Sequence, residues 1–243
     1  MLELNTRKVL QSLTKINEKM IFTYPRMCVK MGLSVQAFLD LDKLGEEQFN
    51  EFGIFDFNGF ASSVNIDKDP EISLVDIGNR TQALHIIDKT TNGKTKHITT
   101  QIETLEDMGC RGDLELPDKM LNPDRNTKIV EFEISRDQFD ILRKKAKQYH
   151  MTEVTINANI NGDIKLGVNG VEESTNDYSL TFDGEVIEDI NMVLDIKLVD
   201  LLPIGAYKIA IIKSKKGNSI PVFISTTIDG LIITMARKMV SNG

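Results

Sequence analysis

The hydrophobic positions of two segments recur every three to four residues, which is the spacing of an amphipathic helix. The first segment covers residues 5–19, and its apolar stripe consists of Val9, Leu10, Leu13 and Ile16, with Met20 just beyond. The second covers residues 135–149, and its stripe consists of Phe139, Leu142, Ala146 and Tyr149. Ser135 and Gln138 give the second segment the signature of a capping box. We therefore expect one helix near the start of each half of the chain.

Between these helices the chain contains short runs rich in β-branched residues, which predict strands. Hairpin turn sequences such as Asn92-Gly93 and Asn161-Gly162 separate many of the runs. The predicted strands are 21–31, 35–41, 72–77, 83–87, 154–160, 164–168, 178–182, 207–213, 220–226 and 231–235. Each half also has a short helical candidate before a proline and a strand, at 57–66 and at 197–202. The order helix, strands, short helix and strands thus occurs once in each half.

A stretch rich in glycine, proline and charge joins the two halves, and it is typical of a linker. We expect domains at 1–106 and 128–243 with a linker at 107–127. With 243 residues, 41% of them hydrophobic, the chain can bury a core in each domain. No run approaches the roughly 20 apolar residues of a membrane span, and the N-terminus has no apolar signal region. We therefore expect a cytoplasmic protein without membrane contact.

Charge is distributed unevenly along the chain. Residues 5–19 contain four basic residues and one acidic residue, and residues 136–149 contain five and two, whereas the net charge of the chain is −7. Two basic helices in an acidic protein can hold DNA at one surface and disfavour it elsewhere. A solvated lysine-rich face is the ordinary explanation for either helix alone, but the recurrence favours a surface for a polyanion. The residues predicted to face DNA are Arg7, Lys8, Lys15, Arg136, Arg143, Lys144 and Lys147, with Lys197 on the second short helix.

Several stretches, in the correct order along the chain, resemble the ring-shaped DNA sliding clamps. They are most similar to the polymerase processivity clamps of large tailed phages. The stretches are Phe52 to Phe60 (FGIFDFNGF), Asp69 to Ser73 (DPEIS), Tyr178 to Thr181 (YSLT) and Pro203 to Ile209 (PIGAYKI). Residues 159–169 also look like the turn-and-strand segment of nuclear-antigen-type clamps. The region 90–127 departs most from the family pattern.

The resemblance implies an α+β clamp fold with two similar domains, each with two helices packed on antiparallel sheets. It implies a homotrimeric ring whose hole is lined by twelve helices and encloses double-stranded DNA without sequence specificity. Such a DNA polymerase processivity factor tethers the replicative DNA polymerase and is loaded by an ATP-dependent clamp loader. Its place is the replication fork, in the host cell cytoplasm if the protein is viral.

By analogy with the family, each subunit pairs with its neighbours through edge strands, at 96–105 and 177–182. The interface residues expected from this are Lys96, Ile98, Thr100, Ile102, Tyr178, Ser179 and Leu180. We also expect an apolar groove beside the linker that takes short peptides of partner proteins. Its predicted rim consists of Leu114, Leu116, Met120 and Leu121. The alternative for each rim residue is that it merely holds the linker on the sheets.

No catalytic signature occurs in the sequence. The three histidines lack the spacing of metal ligands, and the chain has no nucleophile elbow, P-loop or dinucleotide fingerprint. Two distant cysteines support neither a disulfide framework nor a zinc site. We expect no catalysis, cofactor or metal. A non-ring β-rich protein-binding module, and less so an enzyme without a recognisable motif, are the alternatives, and a stable trimer in solution would favour the clamp over both.

Overall fold

The computed structural model describes residues 4–23, 26–40, 52–66, 70–77, 80–100, 115–169 and 177–238. These residues form an α+β protein in which mostly antiparallel strands are combined with a few short helices. The chain divides into two compact units: unit 1 is 1–114 with 228–231, and unit 2 is 115–227 with 232–243. The boundary between 114 and 115 falls inside the predicted linker, 107–127. Among the described residues, no helix is long and apolar enough to cross a membrane.

Unit 1 has two helices and seven strands in its described part. The elements are α1 (Leu4–Leu13), β1 (Met20–Thr23), β2 (Arg26–Met31), β3 (Val35–Asp40), β4 (Phe52–Ile54), α2 (Phe57–Ile66), β5 (Pro70–Ile77), β6 (Arg80–Asp88) and β7 (Gly93–Thr100). The first four strands are neighbours in the order β3-β2-β1-β4. The last three form an antiparallel meander in chain order.

Unit 2 begins with a short helix and then repeats this arrangement. Its elements are α3 (Leu116–Leu121), β8 (Asn126–Ile134), α4 (Arg136–Gln148), β9 (Glu153–Ala158), β10 (Ile164–Asn169), β11 (Tyr178–Phe182), β12 (Gly184–Val186), β13 (Ile190–Asp195), α5 (Ile196–Val199), β14 (Tyr207–Ser214), β15 (Ser219–Ser225) and β16 (Leu231–Met235). A four-stranded sheet has the order β11-β10-β9-β13, and the neighbours in the other layer are β12-β8-β14-β15-β16.

The two units share one order of elements once α3, β8 and the short β12 of unit 2 are set aside. In this shared order, α1 and α4 are the first helices, and α2 and α5 are the second helices. In each unit, the first helix is followed by four strands that lie side by side in the order third, second, first, fourth, counted along the chain. The second helix then precedes a meander of three strands. In both units, the first residue of the second helix makes a backbone hydrogen bond to the segment that follows the first helix. The N–H of Phe57, the first residue of α2, donates to Glu18 O at 2.7 Å, and the N–H of Ile196, the first residue of α5, donates to Thr152 O at 3.1 Å. The repeat predicted from the sequence is therefore present in the topology.

The apolar stripes of the helices form the cores of their units. In unit 1, the stripe of α1 is buried, and Phe60 of α2 joins an aromatic group with Phe22 and Phe52. In unit 2, Phe139, Leu142 and Ala146 of α4 are buried, and the helix packs on β10 and β11. The ring of Phe139 also meets that of Tyr207 on β14, with ring centroids 5.7 Å apart. Burial of these aromatic rings supplies a large share of the hydrophobic free energy of each unit.

Local hydrogen bonds determine where α4 begins and where α1 ends. The predicted capping box of α4 is present, since Gln138 N–H donates to Ser135 Oγ and Ser135 N–H donates to Gln138 Oε1. The helix α1 is shorter than the predicted 5–19. It ends at Leu13 because Ile16 N–H donates to Leu13 O and Thr14 Oγ1 donates to Gln11 O, which tightens and closes the last turn.

Candidate nucleic-acid interface

Helix α4 carries three basic side chains outward from unit 2. Arg136, Lys144 and Lys147 are exposed, as the amphipathic pattern predicted, because they lie outside the stripe of Phe139, Leu142 and Ala146. The ammonium of Lys144, whose side chain is 76% exposed, lies 3.4 Å from a carboxylate oxygen of Asp140 one turn earlier. Such an exposed pair contributes about 0.3–0.5 kcal/mol, so an incoming phosphate can displace it readily.

Arg143 does not face outward with these residues. Its side chain is only 16% exposed, and Nε lies 3.1 Å from Asp200 Oδ1. Its terminal nitrogens donate to the carbonyl oxygens of Leu202, at 3.2 Å, and of Asp200. The guanidinium also lies 5.4 Å from the centre of the Phe139 ring. The prediction that Arg143 points to DNA therefore needs correction, because its donors are used at the end of α5.

The first helix of unit 1 shows the same division of roles. Lys8 and Lys15 are exposed, but Arg7 is only 9% exposed and donates to Val64 O at 3.3 Å. Arg7 precedes Leu10 by three residues, so it lies along the edge of the apolar stripe and faces α2. Asn65 returns a hydrogen bond to Arg7 O at 3.0 Å. The predicted outward orientation of Arg7 is wrong for this reason.

An arginine thus joins the first helix to the C-terminal end of the second helix in both units. Arg7 donates to a carbonyl in the last turn of α2, and Arg143 donates to the carbonyl of the C-cap residue of α5. Carbonyl groups at a helix C-terminus lack intrahelical donors and carry partial negative charge, so a guanidinium there is stabilising. The two arginines position helices, whereas the exposed lysines remain available to a ligand.

Lys197 occupies the start of α5 and is exposed. Its backbone N–H donates to the Oδ1 of the N-cap residue Asp195 at 2.9 Å. The predicted DNA-facing residues that are exposed are therefore ammonium groups on long stems, together with the guanidinium of Arg136. Ammonium groups of this kind attract phosphates as point charges and impose no bidentate geometry.

The two strands predicted to form the subunit interface, β7 and β11, occupy different places in their sheets: β11 ends its sheet order, and β7 does not. The strand β11 stands at the end of its sheet and pairs with β10 from Tyr178↔Val168 to Phe182↔Ile164. Ser179 is exposed, while Tyr178 and Leu180 are half-buried.

In unit 1, β7 lies between β6 and β4, although β4 reaches only Thr99 and Thr100. The end of that sheet order is occupied by β5. Lys96 and Ile98 are exposed on β7, the backbone of Thr100 pairs with that of Gly53, and Ile102 lies outside the described residues.

The predicted peptide groove falls on α3, which packs on β14 and β15. Met120 is 6% exposed and lies in a buried cluster with Ala210, Ile212 and Val222, against which Leu116 also packs. Leu121 is 40% exposed, and Leu114 lies outside the described residues. The burial of Met120 fits the alternative that it holds the linker on the sheet, and Leu121 is the described rim residue that remains available to a partner.

A cavity of about 690 Å³ in unit 1 was not expected from the sequence. It lies where α1 ends and α2 begins, and its lining residues are Thr14, Lys15, Glu18, Lys19, Phe55, Asp56 and Asn58. Phe55 is 39% exposed. The run FGIFDFNGF contains four phenylalanines, and its spacing gives no signal that Phe55 is the exposed one, because that depends on how β4 and α2 are packed.

Comparison with known protein families found no matching family, and a search of curated proteins found no similar protein. Within the residues that the structure describes, no group of three or more His, Cys, Asp and Glu side chains is placed to hold a metal ion. The duplicated fold and its exposed charges are therefore the features that bear on function.

Proposed function

We propose that this protein is a DNA sliding clamp, a processivity factor that encircles duplex DNA and tethers a DNA polymerase to it. The observation that carries the proposal is the duplication of a helix-and-sheet unit whose first helix exposes lysines each time. These are Lys8 and Lys15 around α1, and Lys144 and Lys147 on α4. A ring built from such units has basic helices at several points around its hole, which matches the cylindrical charge of a duplex.

The character of the charged groups supports sliding rather than gripping. A clamp has to stay near the phosphates and still move along them, which requires many weak contacts that water and counterions can replace. Exposed lysines make contacts of this kind. The guanidinium of Arg143, which could hold a phosphate in a fixed bidentate geometry, is instead used inside the subunit.

In this proposal, the ring forms because unpaired strand edges of neighbouring subunits pair with each other. Three copies assemble through the outer edge of β11 and an edge in unit 1, as a homotrimer with a DNA-clamp fold. A polymerase bound to the ring rebinds its primer as an intramolecular event, so the gain in processivity comes from effective concentration and needs no catalysis by the clamp. A closed ring needs an ATP-dependent loader to open it, and its place of action is the replication fork.

The test compares retention of the protein on circular DNA before and after linearisation. The wild type should stay on the circle and leave when ends are created, because topology holds it. Changing both Lys144 and Lys147 to Glu should strongly reduce loading on primed DNA, since attraction becomes repulsion at positions outside the apolar stripe. The salt slope of binding should also fall by about 0.9 for each phosphate that the variant no longer neutralises.

A matched control changes Lys215 and Lys216 to Glu, since both are exposed on the hairpin between β14 and β15. The control should load normally, and both variants should keep the wild-type circular dichroism. Equal loading by all three proteins, or retention that is indifferent to DNA ends, would contradict the encircling proposal.

A further inference from the structure

Phe55 lies in the turn between β4 and α2, and the residue is 39% exposed, whereas every other phenylalanine in the described part of the chain is buried. A single exposed apolar side chain is common on protein surfaces. This ring, however, is part of the wall of the cavity of about 690 Å³ at the end of α1. The cavity is therefore open to a ligand that offers a flat apolar face.

Four charged side chains line the cavity beside Phe55: Lys15 and Lys19 are cationic, and Glu18 and Asp56 are anionic. Asp56 caps α2, since its Oδ1 accepts from Gly59 N–H at 2.8 Å. A Cβ at position 59 would meet that carboxylate at 2.1 Å, so glycine permits the cap. Lys15 and Lys19 make no ion pair with any residue that the structure describes. The ammonium of Lys19 lies 5.9 Å from the centre of the Phe55 ring, and Lys15 is exposed at the same cavity.

Unit 2 also has a lysine beside an aromatic ring, but there the ring belongs to the C-cap residue of α4 and not to the turn before the following helix. Lys145 Nζ lies 5.3 Å from the centre of the Tyr149 ring, at the end of the first helix of that unit. Each unit thus has a cation beside an aromatic ring near the end of its first helix.

We propose that the cavity of unit 1 binds one nucleotide of single-stranded DNA, with the base stacked on Phe55 and the adjoining phosphates near Lys15 and Lys19. Proteins hold single strands by this combination of an aromatic platform and a cationic track. The Asn58 side chain, exposed at the cavity, can hydrogen-bond to the edge of the base. The bases of an intact duplex cannot use the site, because both faces of each base are already stacked.

The inference goes beyond the encircling of duplex DNA and does not depend on it. A primer–template junction has unpaired template bases next to duplex, and a protein with this site can hold one of them. The probe for the test is a fluorescein-labelled hexamer of deoxythymidylate, which has no secondary structure. Binding to the full chain is followed by fluorescence anisotropy at several salt concentrations.

Phe55→Ala should weaken binding of the hexamer by about 5- to 150-fold, which is the effect of removing one stacking platform. Phe55→Tyr keeps an aromatic face and should bind like the wild type. Changing Lys15 and Lys19 to Gln should reduce the salt slope by about 0.7 for each phosphate that is no longer neutralised. The matched pair Lys89→Gln and Lys94→Gln removes two exposed charges from the same unit and should leave the slope unchanged.

Absence of hexamer binding by the wild type would overturn the proposal and indicate that the cavity serves another ligand, such as a peptide. Equal affinity of Phe55→Ala and wild type, with both proteins folded by circular dichroism, would also overturn it. Equal losses from the two lysine pairs would show that the hexamer binds by general charge, which contradicts a site at this cavity.

Discussion

At the scale of single residues, His97 of β7 lies against α2 in a setting that disfavours its charged form. The ring meets Phe60 edge-on with centroids 5.8 Å apart, and Nε2 lies 3.1 Å from Ser63 Oγ. Ser63 donates its own proton to Gly59 O at 2.9 Å, so its oxygen accepts from the Nε2–H of the neutral ring. Burial lowers the pKa of His97 below its ordinary 6.5, and the negative charge of Asp56 opposes this without reversing it.

Unit 1 should therefore lose stability in mildly acidic solution. Above about pH 7 both the folded and unfolded states hold a neutral imidazole. Below 6.5 the unfolded state takes up the proton first, so the free energy of unfolding decreases until the pH reaches the lower pKa of the folded state. Urea unfolding at about pH 7.5 and 5.5 should show a smaller decrease for His97→Gln than for the wild type. An equal decrease in the two proteins would contradict this account.

At the scale of elements, the sequence predicted those segments whose bounds are set locally. The helix α2 was predicted at 57–66 and the strand β16 at 231–235, and both have these bounds. Gly162 has a positive φ, as expected for the predicted turn Asn161-Gly162. The strands β4, β8, β12 and β13 were not predicted, and the predicted strand 21–31 is two strands, β1 and β2. The strands β4 and β12 have only three residues, which give no detectable period, and they are ordered by pairing with β1 and β8.

The candidate site shows the same limit of sequence-based prediction. The exposed lysines were found because they lie opposite or beside an apolar stripe. Arg7 and Arg143 also lie beside a stripe, yet each turns toward the second helix of its unit. The choice between solvent and a carbonyl acceptor depends on which element packs alongside, and helical periodicity does not contain that information. The α3 helix, within a stretch expected to be a linker, owes its position to Met120 and the sheet beneath it.

Arg143 provides a test of this interpretation. Arg143→Lys keeps the positive charge but loses the planar fork that reaches Asp200 and Leu202 together. We expect the free energy of unfolding to fall by about 1–2 kcal/mol, measured by urea denaturation. Loading on DNA should stay near the wild-type level wherever the variant is folded. The control Lys144→Gln should change stability by less than about 0.5 kcal/mol. Impaired loading with unchanged stability would instead mean that Arg143 contacts DNA.

At the scale of the whole molecule, the proposal requires copies of the chain to join through strand edges. The strand β11 supplies one such edge, since its described neighbour on one side is β10 and it ends the sheet order. Backbone N–H groups along a strand point alternately to its two sides. Of Ser179 and Leu180, therefore, one directs its N–H to β10 and the other directs it outward. Only the outward group can pair with a neighbouring subunit.

Proline substitution shows which of Ser179 and Leu180 directs its N–H outward, because proline has no backbone N–H. Proline at the outward-facing position removes a donor that the neighbouring subunit needs and leaves the pairing with β10 intact, so it should give a folded monomer. Proline at the other position should also weaken the sheet itself. Light scattering at several dilutions gives the mass, and circular dichroism gives the folded fraction, for Ser179→Pro and Leu180→Pro. The controls Ser179→Thr and Leu180→Val keep the N–H and should remain trimeric. If the wild type is a trimer and neither proline changes its mass, subunits do not join through β11 and the ring must close elsewhere.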